Sequence, residues 1–147
     1  MHFEGTVEIG ATRDRVWSFV SDPTRVAACA SDVEHLEVVD PTRFRVTARA
    51  GIGPIRTTFV IDAEFTELHA PERAAVRATG RARGSAVEMS NVVELADAGS
   101  GRTTLRWRAE VNVSGAIANI GSRFLQAAAD KTTRDVFACL KERLEAP

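Results

Sequence analysis

The feature that most constrains the fold is the last stretch of the chain, Gly115 to Leu144. Ile117, Ile120, Gly121, Phe124, Leu125 and Ala128 recur at spacings of three and four, and Val136, Phe137, Leu140 and Leu144 continue the same side. That is the signature of one apolar helical face. Asp130, Lys131, Arg134, Asp135, Lys141, Glu142 and Arg143 fall mostly between these positions. The pattern predicts a single helix of about 30 residues, about 45 Å long at 1.5 Å per residue. Such a helix needs a broad apolar surface to lie on, and the rest of the chain has to supply it.

The preceding residues read as strands. Phe3, Gly5, Val7 and Ile9 alternate with Glu4, Thr6 and Glu8, a half-buried first strand. Ala11 to Val20 changes to helical spacing, with Thr12 placed to cap it. Asp22-Pro23 breaks this helix and Pro23 suits the first turn of another, through Ala30. From Leu36 to Val113 the alternation has period two throughout, punctuated at Asp40-Pro41, Gly51 to Pro54, Ala70-Pro71-Glu72 and Asp97 to Gly101. Strands joined by such short turns pair antiparallel. The expected architecture is α+β: a curved antiparallel sheet of six or seven strands around one long C-terminal helix, with two short helices after the first strand. The 147 residues are expected to form one domain.

The face turned toward the helix is apolar but small. Ala48, Ala50, Ala63, Ala74, Ala78, Gly80, Ala82 and Ala109 stand where a filled core would carry Leu or Ile, and interior packing density needs side-chain volume. Gly121, Ala127, Ala128 and Ala129 thin the helix side as well. Either the helix sits close to the sheet, or a cavity remains. The cavity would be lined by Phe44, Phe59, Phe65, Met89, Leu105, Trp107, Ile117, Ile120 and Phe124, with the small residues above giving it room. Thr57, Ser85, Asn91 and Thr103 would be its few polar groups. An apolar cleft with sparse polar groups is the usual form of a small-molecule site.

Catalytic chemistry finds little support. The inward register carries no Asp, Glu, Lys, Arg or His, whereas acid–base catalysis wants a buried titratable group beside a partner. His2, His35 and His69 read as surface residues. No Ser/His/Asp set and no His/Cys cluster with metal spacing is evident. No catalytic residue, metal ligand or cofactor is expected, beyond a bound quinone or lipid as ligand.

Charge is balanced, with 19 basic and 20 acidic residues and a net −1, so no overall field draws the chain to nucleic acid. All basic residues except Lys131 and Lys141 are arginine. The arginines of the strands share their outward face with Glu64, Glu88, Glu94 and Glu110, which suits cross-strand pairing on a wet surface. Cys29 and Cys139 make no disulfide scaffold and are expected to be reduced, buried small hydrophobes. The N-terminus lacks a signal-peptide run and no 18-residue apolar stretch exists. A cytoplasmic location is expected, with membrane contact at most peripheral.

Three stretches carry a resemblance: "HFEGTVEIGATRDRVWSFVSDPTRVAACA" at 2–30, "GIGPIRTTF" at 51–59 and "IANIGSRFLQAAADKTTRDVFACL" at 117–140. The order of elements resembles the helix-grip, START-like superfamily of lipid-transfer proteins and polyketide cyclases. The Gly-Pro-Ile hairpin and the Ile-Gly-Ser-Arg helix resemble, more narrowly, the CoxG subunit of bacterial carbon monoxide dehydrogenase. Ala30 to Glu34 stands in place of that family's usual Pro-Gly-Cys type segment, and the sequence ends at Ala146-Pro147 without the membrane-attaching tail that many members carry. The resemblance implies a non-catalytic accessory of a molybdenum-containing carbon monoxide dehydrogenase or related hydroxylase, recruiting the enzyme to the membrane or carrying quinone to it. An apolar cavity without acid–base groups agrees with the quinone role. The competing readings are a polyketide cyclase or dehydratase acting in the same cavity, and an interaction protein with a filled core.

Overall fold

A computed structural model describes residues 1–145; the end of the chain at Ala146-Pro147, where the family comparison bears on a membrane-attaching tail, lies outside the described residues. Strand β1 (His2–Ile9) leads into helices α1 (Arg13–Val20) and α2 (Pro23–Ala28). Strands β2 (Val33–Asp40), β3 (Arg43–Ile52), β4 (Ile55–His69), β5 (Arg73–Ala82), β6 (Ser85–Gly99) and β7 (Arg102–Gly115) follow, then helix α3 (Ser122–Glu145). The seven strands form one antiparallel sheet in the order β1-β7-β6-β5-β4-β3-β2. This is the expected α+β helix-grip architecture.

Local chemistry starts and stops the elements. The Arg15 N–H donates to Thr12 Oγ1 at the head of α1, and the Thr24 N–H donates to Asp22 Oδ1 at the head of α2, where Pro23 occupies the first turn. Strand parity follows the sequence alternation: Phe44 faces Ala63, Ala63 faces Ala78, Ala78 faces Met89, Met89 faces Val111, and Asn91 faces Ala109. The uncharged residues therefore share the concave face and the arginines the convex one. There Arg45 and Arg81 share Asp62, while Arg73 and Arg108 share Glu94. These exposed pairs specify register more than they stabilise.

Two expectations are corrected. The long C-terminal helix does not begin at Gly115. Strand β7 runs through Gly115, a single 3-10 turn spans Ala116–Asn119, and α3 starts at Ser122 after Gly121, whose φ is +98°. Ile117 and Ile120 keep helical spacing with Phe124 but lie on a separate element, because the backbone reverses at a left-handed residue that only glycine adopts cheaply. The described helix has 24 residues, about 36 Å.

The cysteines are not reduced either. Cys29, which caps α2, and Cys139 on α3 form a disulfide with Cα atoms 5.5 Å apart. Both residues turn toward one core. That core comprises Ile9, Ala11, Val16, Phe19, Leu95, Leu105, Leu140 and Leu144, with Trp107 and Phe137 packed against it. The core therefore sits at one end of the sheet, under the C-terminal half of α3.

Candidate functional site: a half-open apolar groove

Helix α3 crosses the concave face and approaches the sheet chiefly at its margins, on β1 and β3, while standing off the central strands. Its C-terminal half is anchored. Leu140 and Leu144 are buried, Phe137 stacks at 6.2 Å from Trp107, and the Gly10 N–H donates to Glu145 Oε2. Trp107 in turn lies across Gly5, where a Cβ would come within 2.7 Å of the indole nitrogen. Its N-terminal half is not anchored in this way: Leu125, Ala128 and Ala129 are only half-buried, and Phe124 is 44% exposed. Between that half and the central strands lies a groove.

Its floor is formed by Phe59, Ala63, Phe65 and Ala78, all buried, with Phe44 tilted against Phe65 at 5.7 Å. Ala48, Met89, Ala109 and Ile120 are half-buried, and Asn91 is exposed although it stands on the concave register. A concave face whose apolar residues remain half-open is what an incompletely filled sheet–helix interface leaves behind.

Three of the sequence-proposed lining residues are not placed in the open part. Leu105 is fully buried within the packed core. Ile117 is buried on the 3-10 turn, where its N–H donates to Ser85 Oγ. Gly121 faces open space: a Cβ there would meet nothing within 4 Å. Trp107 closes the groove on the core side. Phe124 stands at its opposite end, over the β3–β4 turn, where a Cβ on Gly53 would fall 2.7 Å from its ring.

Of the four polar candidates, two serve the fold. Thr103 Oγ1 donates to the Ala11 carbonyl, and Ser85 is used as above. Thr57 and Asn91 remain on the groove face, half-buried and exposed. Sequence parity places all four correctly but says nothing of their partners, which are distant in the chain.

Electrostatics separates the faces. Every concave side chain from Phe44 to Phe65, Ala74 to Ala82, Ser85 to Leu95 and Leu105 to Val113 is uncharged. The shifted groups lie elsewhere. His2 is raised by its hydrogen bond to Glu110, and Asp135 on the outer helix surface is lowered chiefly by its hydrogen bond from Lys131. A convex-face depression of about 410 Å³ beside Arg45, Asp62 and Arg77 is polar and belongs to the paired-arginine surface. Among the described residues no three His, Cys, Asp or Glu side chains gather as a metal site, and no helix is long and apolar enough to cross a membrane.

Solved structures with this architecture define the class. A conserved protein from Geobacillus kaustophilus superposes with a TM-score of 0.91 at 22% identity, covering 99% of this chain and 95% of that one. The aromatase/cyclase Zhui from Streptomyces sp. R1128 follows at 0.75 and 18% identity, covering 99% and 93%. A START superfamily protein from Mycobacterium smegmatis reaches 0.74 at 14% identity, covering 98% and 97%. At such identities the likeness shows the fold alone: a START-like helix-grip protein. No curated protein matches the chain. The match to the family model of the carbon monoxide dehydrogenase subunit CoxG spans residues 5–145, and the chain belongs to that family.

Proposed function

We propose that the chain is a non-catalytic carrier of a hydrophobic small molecule, a quinone or other lipid with an apolar tail. As a member of the CoxG family, it would serve a molybdenum-containing carbon monoxide dehydrogenase or related hydroxylase and help bring it to the membrane. The observation that carries this reading is the uncharged concave face left half-open beneath the N-terminal half of α3. Burying apolar ligand surface there is favourable by roughly 25 cal/mol per Å², and no charge in the groove floor has to be desolvated. Asn91 and Thr57 are the polar groups at hand for a ring carbonyl.

The test is native mass spectrometry of protein from a quinone-producing host, with solvent extraction of the bound species, alongside uptake of a short-chain prenyl quinone by ligand-free protein. Stoichiometric quinone supports the carrier. An empty protein that takes up no quinone overturns it.

Likeness to an aromatase/cyclase favours a second reading, an enzyme acting on a polyketide-like substrate in the same groove. General acid–base catalysis would need an ionisable group at the substrate, and the concave residues named above are all uncharged. The carrier reading is therefore preferred.

A further inference from the structure

The antiparallel meander brings the β3–β4 turn, the β5–β6 turn, the end of β7 and the start of α3 to one end of the sheet. The Ala116 N–H donates to the Gly84 carbonyl, and Phe124 rests on Gly53, so these four segments form one continuous pole. Its charges are of one sign. Residues 41–61, 73–87 and 111–129, which build the pole and the strands entering it, contain arginines and no carboxylate side chain. Arg49 and Arg81 face Glu34 and Asp62 farther back. Arg56, Arg83 and Arg123 are exposed and make no ion pair with a described residue. Between these arginines the pole presents apolar groups, Phe124 at 44% exposure and the exposed Pro54 and Ala118 among them.

We propose that this pole docks on an anionic bilayer, with Arg56, Arg83 and Arg123 on lipid headgroups and Phe124 and Pro54 at the interface. The proposal rests on the carrier reading for its purpose: the pole lies at the end of the groove where α3 is least anchored, so docking sets that end against the lipid phase. An arginine ring around apolar tips matches a surface that is anionic outside and hydrocarbon beneath. An acidic protein surface would satisfy the arginines but leave the apolar tips without a counterpart.

The experiment is flotation of ligand-free protein with vesicles of phosphatidylcholine alone, or with 30% phosphatidylglycerol, at low and at high salt. The expected result is salt-sensitive binding only to the anionic vesicles. The triple variant Arg56→Glu, Arg83→Glu, Arg123→Glu should bind them about 100-fold more weakly, since each arginine near such a surface contributes about fivefold. Arg102→Glu, an equally exposed arginine at the opposite end of the sheet, should bind as the unaltered protein does. Quinone uptake from dilute dispersion, measured on the same variants, separates the two readings. Loss of vesicle binding with uptake intact supports docking, and charge-dependent vesicle binding without uptake supports docking while the carrier fails. Equal binding to neutral vesicles, a triple variant that binds normally, or salt-sensitive capture of a dehydrogenase without vesicle binding overturns it.

Discussion

The two halves of α3 lie on the same sheet yet do different things. The C-terminal half buries Leu140 and Leu144 against Ile9, Val16, Phe19 and Leu105, and Cys139 ties it to Cys29. The N-terminal half offers Phe124, Leu125 and Ala128 to strands that answer with Ala48, Ala63, Ala78 and Ala109. Large residues meeting large residues make a core, whereas small residues meeting a helix held off by its ends make a groove. One element thus carries both an anchor and one wall of a binding site.

The disulfide should be the largest single difference between the halves. It closes a loop with a sequence separation of 110 residues, and removing it should cost about 3–5 kcal/mol by restoring freedom to the unfolded chain. Urea unfolding of Cys29→Ser and Cys139→Ser checks this; an unchanged midpoint would mean that the covalent tie adds nothing to the anchor. Disulfides are rare in the cytosol, so the pair is in tension with the cytoplasmic location expected from the sequence. Alkylation of thiols in intact cells decides between them.

Leu140→Ala should cost about 2–5 kcal/mol through lost burial and the cavity it leaves. Phe124→Ala, at an exposed site, should change stability by less than about 1 kcal/mol. Equal losses in thermal unfolding would erase the distinction between the halves.

Filling the groove should act on binding instead. Ala78→Phe and Ala109→Phe are expected to reduce prenyl-quinone uptake at least tenfold by occupying its volume, while the protein still unfolds cooperatively. Should they unfold the protein, the space was already taken.

The smallest effect belongs to His2, outside both halves. Its hydrogen bond to Glu110 raises its pKa above the usual histidine value. The protonated form is favoured in the folded state, so the stabilisation is present at pH below the unfolded value and is lost as pH rises through the raised folded pKa. NMR titration should show the midpoint fall in Glu110→Gln.

The strands were readable because a period of two leaves little choice of face: once the turns at Asp40-Pro41, Gly51 to Pro54, Ala70 to Glu72 and Asp97 to Gly101 are placed, each inward residue follows. The break before α3 was not readable, because Ile117 and Ile120 continue the helical spacing across Gly121 and spacing carries no sign of φ. Parity likewise put Leu105 and Ala109 on one face without saying that the first is sealed in a core and the second half-open.

By itself the sequence determined the order of elements, the uncharged concave face and the scarcity of large residues on it, since these depend on neighbours along the chain. Only the tertiary structure decided that Cys29 meets Cys139, that Trp107 folds over Gly5 to end the groove, and that the free arginines gather around Phe124 at one pole. Each of these joins elements far apart in sequence. Their meeting depends on where the sheet's curvature and the packed end of α3 bring them, and no local period records that.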